Sequence, residues 1–215
     1  MSAQAKVEVV VDPNWDQNCY LVWDENCEAV VIDPGFQGRA VVARIQELGL
    51  RVAAIVNTHG HLDHIAGNHD VQRWTGSPIL IHRADCGMLI DPAANFSLLL
   101  LGEPVVSPPA SAYLEEGTPI AVGAFQLIPI HTPGHSPGGV SLVLEVDGAK
   151  QAVFTGDTLF AGSVGRTDFP GASQDELVTA IKHKLMTLPD ELEVYPGHGP
   201  RTTIAAERAL NPFIL

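Results

Sequence analysis

The sequence predicts an α/β (α+β) chain built as a four-layer αββα β-sandwich, two sheets face to face with helices on their outer sides. Three observations predict it. Each half of the chain opens on short β-branched runs and closes on amphipathic helical spacing. Val52 to Val56 is apolar without alternation, as a strand covered on both faces requires. No linker, low-complexity tract or close repeat divides the 215 residues, so a single domain spanning 1–215 is expected.

Lys6 to Val11, Cys19 to Trp23 and Ala29 to Ile32 read as a strand meander punctuated by Asp12-Pro13 and Asp33-Pro34-Gly35. Arg39 to Leu48 reads as a helix, with Val41, Val42, Ile45 and Leu48 on one face and Gly49 as its stop. Val52 to Val56 is a buried strand, and a helix beginning near Ile65 is expected to continue through Asp70 to Thr75. Ile79 to His82 reads as a short strand and Arg83 to Ile90 as helical. Asp91 to Glu116 holds four prolines and a leucine run, and reads either as a flap over a site or as a surface excursion pinned by its leucines. Phe125 to Ile130, Val140 to Val146 and Gln151 to Thr155 are expected strands, and Asp175 to Leu188 a helix. Glu193 to Tyr195 is a last strand before a helix from Thr203 to Leu210.

Composition narrows the function. Twelve basic against 25 acidic residues give a net charge of −13, which repels phosphate backbones and anionic lipid. Neither a nucleic-acid nor a membrane partner is therefore expected. No apolar run approaches the roughly 20 residues of a membrane span, and the N-terminus lacks a signal-peptide core. Three cysteines, Cys19, Cys27 and Cys86, form no disulfide framework, and the cytoplasm is the expected location.

The chemistry starts at Thr58-His59-Gly60-His61-Leu62-Asp63-His64, directly after a buried strand. Imidazole nitrogen and carboxylate oxygen are what a divalent transition metal takes, at about 2.0–2.2 Å. His59 and His61 alternate around Gly60 and can face one ion, while the adjacent Asp63 and His64 can serve a second. Crowding them behind an apolar strand is costly without a cation to satisfy them. Three later positions share one signature, a ligand-type residue at a strand end beside glycine or proline: His135 in Pro133-Gly134-His135, Asp157 in Thr155-Gly156-Asp157, and His198 in Pro196-Gly197-His198.

This order, His-x-His-x-Asp-His, then Gly-His, Gly-Asp and Gly-His, resembles the signature of the metallo-β-lactamase fold over nearly the whole chain. Phe154-Thr155-Gly156-Asp157-Thr158-Leu159-Phe160 and Gly165-Arg166-Thr167-Asp168-Phe169-Pro170 are most similar to short bacterial glyoxalase II-like (hydroxyacylglutathione hydrolase-like) enzymes. The resemblance implies two divalent metals, zinc first, with iron or manganese as alternatives. His59, His61 and His135 would hold one, Asp63, His64 and His198 the other, and Asp157 would bridge them. It implies a small-molecule thioester substrate such as S-lactoylglutathione, cleaved to acid and thiol by a metal-bridging hydroxide that Asp63 orients. Hydrolytic β-lactamases of the fold usually carry cysteine where Asp157 stands, flavodiiron proteins usually carry glutamate at the position of His61, and RNA-processing members are usually longer. The C-terminal helical domain that supplies glutathione contacts in classical glyoxalase II is expected to be absent after His198.

Arg166 has two readings: a fork for a substrate carboxylate, or a loop-shaping pair with Asp168. Phe96 and the flap leucines are expected to meet an apolar part of the substrate. Ser136 and Thr158 are read as turn or supporting residues, and His69, His82, His131 and His183 as surface, packing or supporting histidines. A second enzyme class stays open. Persulfide dioxygenases share the fold, the ligand order and a Gly-Arg-Thr-Asp-Phe segment but use one iron, held by the two early histidines and the Gly-Asp aspartate. Their last motif usually reads Pro-Ala-His-Asp, against Pro196-Gly197-His198-Gly199 here.

Overall fold

The computed structural model describes residues 4–215. Strands β1 (Lys6–Asp12), β2 (Gln17–Trp23) and β3 (Glu28–Ile32) form an antiparallel meander. Helix α1 (Gly38–Leu48) returns the chain to β4 (Arg51–Val56), which lies parallel to β3. Gly49, at φ +65°, closes α1 in the left-handed conformation. Helices α2 (Leu62–Ile65) and α3 (Asn68–Thr75) lead to β5 (Ile79–His82). Turns of 3-10 helix over Arg83–Leu89 and a short α4 (Ser97–Leu100) precede β6 (Ala112–Leu114). These strands make one mixed sheet in the order β1-β2-β3-β4-β5-β6.

The second sheet holds β7 (Ile120–Val122), β8 (Phe125–His131), β9 (Val140–Val146) and β10 (Ala149–Gly156). A small hairpin, β11 (Leu159–Phe160) with β12 (Ser163–Val164), then leads to α5 (Gln174–His183). The chain ends through β13 (Glu193–Pro196), β14 (Thr202–Thr203) and α6 (Ile204–Leu210). The sheet order is β14-β13-β10-β9-β8-β7, with β13 parallel to β10.

Alternation along the strands builds the layers. Tyr20 and Val22 of β2 face the other sheet and meet Leu127, Leu142 and Phe154 in the central core. Cys19 and Leu21, one residue out of phase, pack with Val41 and Ile45 of α1 and Val71 of α3. Val143, Val153 and Val194 do the same on the far side, against Leu177 and Ile181 of α5 and Ile204 of α6. The four-layer sandwich expected from sequence is the one observed.

Several element boundaries differ from expectation for physical reasons. The helix expected to run unbroken from Ile65 to Thr75 is two helices, because Gly67 packs directly on Gly38. A β-carbon at Gly67 would lie 2.8 Å from the Gly38 α-carbon. Arg83 to Ile90 forms 3-10 turns rather than an α-helix, with Gly87 in its middle. The helix expected to reach Leu188 stops at His183, and 3-10 turns follow over Leu185–Thr187. Double cover reaches only the C-terminal half of β4: Ala53 is exposed, while Ala54, Ile55 and Val56 are buried. Segment 91–116 is an anchored excursion. The Asn95 amide donates to the carbonyls of Met88 (3.0 Å) and Val105 (2.9 Å). Cys19, Cys27 and Cys86 are free thiols, and no helix of the described residues is long and apolar enough to cross a membrane.

The two sheets are also joined at one end of the sandwich. The Asn18 amide N–H donates to the Gly197 carbonyl (2.8 Å), the Val140 N–H to Thr58 (2.9 Å), and the Tyr20 hydroxyl to Pro196 (2.6 Å). The C-terminal ends of β3, β4, β8, β10 and β13 all open there. Phe154 is fully buried, with its ring centroid 5.0 Å from that of Tyr20. Phe154→Ala should cost about 3–5 kcal/mol in a denaturant titration, whereas Val9→Ala on the exposed edge strand should stay within about 0.5 kcal/mol.

Candidate metal centre

His59, His61, Asp63 and His64 follow β4, His135 follows β8, Asp157 follows β10 and His198 follows β13. The structure brings all seven together. Nitrogens of His59, His61 and His135 lie within 4.8 Å of one another, and so do ligand atoms of Asp63, His64 and His198. Asp157 stands between the two groups. Its Oδ2 is 3.4 Å from His135 Nε2 and 3.5 Å from His198 Nε2, and its Oδ1 is 3.3 Å from His64 Nε2. In the second group, His198 Nε2 lies 3.2 Å from Asp63 Oδ2 and 3.3 Å from His64 Nε2.

Hydrogen bonds on the far side of each ring decide which nitrogen faces inward. His135 Nδ1 donates to the Arg166 carbonyl (2.8 Å) and His198 Nδ1 to the Trp15 carbonyl (2.9 Å). His64 Nδ1 donates to Asp33 Oδ2 (2.9 Å). The Thr58 hydroxyl gives its own proton to Asp33 (2.6 Å), so it can only accept from His59 Nδ1 at 3.1 Å. In each of these four rings Nε2 points into the site. Against the effect of burial, Asp157 and Asp63 raise the His64 and His198 imidazoles, so a metal there would displace a proton.

The donor set fits a cation. His59 Nε2 and Asp157 Oδ1 are buried without any hydrogen-bond partner. His61 Nδ1 and His135 Nε2 face each other at 2.8 Å, a spacing that needs a proton or a cation between them. Burial, then the neighbouring His64 and His61, pushes the His59 imidazole well below its ordinary range. Burial and His135 push His61 down to about 3. Burial would raise the Asp157 carboxyl, but His64 and His198 hold it well below the usual range. Two neutral imidazoles and an ionised carboxylate are the protonation states that ligate metal.

Glycine at two positions is a steric requirement. Gly156 sits at φ +47°, and a β-carbon there would overlap the Thr58 hydroxyl. At Gly197 a β-carbon would overlap Asp157 Oδ1 and lie 2.8 Å from His64 Cε1.

Two supporting carboxylates carried no signal in the sequence reading. Asp33 grips the Thr58 N–H (2.8 Å) and hydroxyl as well as His64, so its oxygens are spent on orientation although it lies near His59 and His64. Buried Asp85 accepts from the Gly60 N–H (3.1 Å), the Ser136 hydroxyl (2.7 Å) and the Gly138 N–H (2.6 Å), tying the His59–His61 turn to the His135 loop. Ser136 and Thr158 make supporting bonds, the latter to Thr132 Oγ1 at 3.0 Å. His131 stacks on His82 (4.2 Å between centroids) and faces the Pro137 carbonyl, and His69 and His183 are exposed.

A cavity of about 370 Å³ opens over the ligand atoms. His61, Asp63, His135, Asp157 and His198 form its polar floor, and His59 and His64 are not among its lining residues. Phe96 and Leu100 of the 91–116 excursion line its wall, as does Arg166. Arg166 forks onto Asp168, with Nε to Oδ1 and Nη2 to Oδ2 both 2.7 Å.

Asp33→Asn keeps the shape but places an amide where three donors converge. Chelator competition should show metal affinity lowered by roughly 10–100-fold. Unchanged affinity would mean that His64 is oriented by packing alone.

Comparison with known proteins places this geometry in a family. The model of the Metallo-beta-lactamase superfamily matches residues 12–198. The probable metallo-hydrolase YqgX of Bacillus subtilis is 38% identical over 195 residues, covering 91% of this chain and 90% of the relative. The hydroxyacylglutathione hydrolase GloC of Haemophilus influenzae is 33% identical over 210 residues, with 97% of each covered. The crystal structure of BLEG-1 B3 metallo-beta-lactamase superposes with a TM-score of 0.90 at 35% identity, over 98% of this chain and 99% of that one. TTHA1623, solved in a di-iron-bound form, gives 0.81 at 37% identity, over 96% and 99%. Family, relatives and His/Asp clusters together make this a metal-dependent hydrolase, and the chain belongs to the metallo-beta-lactamase superfamily.

Proposed function

We propose that the chain is a binuclear metal-dependent thioester hydrolase resembling glyoxalase II, which cleaves small S-acyl thiols such as S-acylglutathione to acid and thiol. The observation that carries the reading is the second cluster. Asp63, His64 and His198 are assembled beside His59, His61 and His135, with Asp157 in contact with both groups. His59, His61 and His135 would hold one divalent ion, Asp63, His64 and His198 the other, and Asp157 would touch both. Zinc, iron and manganese all suit this donor set, and the di-iron form of TTHA1623 supports two ions. When bound, the two ions supply a Lewis acid for the thioester carbonyl and a water acidic enough to ionise near neutral pH.

The chain's own residues do the rest. Asp63, whose Oδ2 borders the cavity floor beside His198, is placed to accept a proton from the attacking water and to orient it. Asp33 and the carbonyls of Trp15 and Arg166 keep the imidazoles from turning as charge develops. Phe96, Leu100 and Phe169 screen the reacting carbonyl from bulk water. A thiolate is a stable leaving anion, so no serine, cysteine or lysine nucleophile is required. The relative named hydroxyacylglutathione hydrolase supports this substrate class. A mononuclear iron dioxygenase would use only the first two histidines and Asp157, and Pro196-Gly197-His198-Gly199 departs from the Pro-Ala-His-Asp usual in that class.

The decisive assay runs aerobically and anaerobically on one preparation loaded with zinc or with ferrous iron. S-acylglutathiones should be cleaved without oxygen, with kcat on the order of 1–10³ s⁻¹ for a good substrate. Oxygen uptake and sulfite formation with glutathione persulfide, and no thioester cleavage with either metal, would overturn the reading in favour of the dioxygenase. Turnover of a cephalosporin alone would overturn it in favour of a β-lactamase.

A further inference from the structure

The cavity over the ligand atoms is mostly apolar above its polar floor. Above the polar floor its walls include Trp15, Phe96, Leu100, Phe160, Val164 and Phe169, with Ser163 and Arg166 as the polar side chains among them. At about 370 Å³ it sits near the small end of ligand cavities, which span roughly 300–1,000 Å³. It has room for one arm of a thioester.

Arg166, the one arginine or lysine lining it among the described residues, is already committed. Asp168 takes both tines of its fork at 2.7 Å, and its Cζ lies 4.0 Å from the centroid of the Phe169 ring. Arg166 in turn holds the Asp168 carboxyl down to about 2, so at neutral pH the pair is ionised on both sides and neutral in sum. The guanidinium presents its flat face to an aromatic ring and brings no free charge to the cavity.

The aromatic wall is assembled with care. Phe169 stacks on Phe96 at 4.4 Å and 21°, and Phe96 packs 5.1 Å from the His61 ring. Phe96 holds this place from φ +66°, a backbone conformation rare for a bulky residue, which the structure accepts at the edge of the site. Outside the wall, Leu98, Leu99 and Leu101 are exposed beside Leu100, so apolar surface continues from the cavity to the solvent. The net charge of −13 adds long-range repulsion of anionic groups.

We propose that the site is specific for thioesters with an uncharged, apolar acyl group, and that the Arg166–Asp168 pair excludes carboxylate-bearing acyl groups instead of binding them. The inference rests on the thioester reading above and names its substrate class. In the reaction, water adds to the acyl carbon, the C–S bond breaks and the sulfur leaves with the bonding pair. The products are a carboxylate, a thiol and one proton.

The test holds the carrier constant and varies the acyl group. Hexanoyl-, phenylacetyl-, lactoyl- and succinyl-glutathione are compared by kcat/KM on the metal-loaded enzyme. The hexanoyl and phenylacetyl esters should exceed the lactoyl ester by roughly tenfold or more, and the succinyl ester should be slowest. Phe169→Ala should shrink the apolar-to-lactoyl ratio about tenfold. Asp168→Asn, which frees the fork, should raise the succinyl rate relative to the lactoyl rate several-fold, mainly through KM. A wild-type preference for lactoyl or succinyl, or equal losses on every acyl group in Phe169→Ala, would overturn this inference and leave the thioester reading standing. Cleavage of none of the four would remove both.

Discussion

The structure turns on the convergence of unshared electron pairs at one end of the sandwich. Five imidazoles and two carboxylates meet there, and four of the rings are locked by a hydrogen bond on their outer nitrogen. That lock costs the fold a good deal. It needs Asp33 in a left-handed conformation at φ +49°, glycines where β-carbons would overlap Thr58 and Asp157, and two backbone carbonyls aimed at ring nitrogens. A metal-free chain has no use for these arrangements, since they leave His59 Nε2 and Asp157 Oδ1 buried without a hydrogen-bond partner among the described residues. A cation at each cluster would turn the same arrangements into stabilising contacts.

The sandwich serves this convergence. Its two sheets are pinned to each other at the site end by main-chain bonds between Asn18 and Gly197 and between Thr58 and Val140. The ligand turns are extensions of paired strands, which positions side chains better than free loops do. Asp85 adds a crosslink between the first histidine turn and the His135 loop, so ligands that are 74 residues apart in sequence, His61 and His135, face each other across 2.8 Å. Part of the cavity wall comes from the less regular segments, Phe96 and Leu100 from the 91–116 excursion and Arg166 and Phe169 from the loop after β12. The fold thus sets the metal-ligand residues just beyond strand ends and part of the cavity wall on loops.

Much of this was legible in the sequence. The layer order follows from strands of uninterrupted apolar residues and from helical spacing at Val41, Ile45, Leu177 and Ile181. The seven site residues stand out because His59 to His64 is dense, and because His135, Asp157 and His198 each sit beside a glycine at a strand end. The illegible parts share a cause. Asp33 looks like a turn residue, and its partners lie 25 and 31 residues away. Asp85 lies in a stretch with helical spacing. The Trp15 and Arg166 carbonyls are backbone atoms that no residue type announces. Strands β7, β11, β12 and β14 are two or three residues long, too short for any periodicity. Arg166 had two readings on sequence alone, and only the 2.7 Å fork shows that Asp168 occupies it.

The central claim is that two cations complete this site. Anomalous diffraction from crystals of protein purified without chelator, collected on either side of the zinc and iron edges, tests it most directly. Two peaks are predicted, one among His59, His61 and His135 and one among Asp63, His64 and His198, with Asp157 touching both. A single peak at the first cluster, with His64 and His198 remaining 3.3 Å apart around no metal, would contradict it.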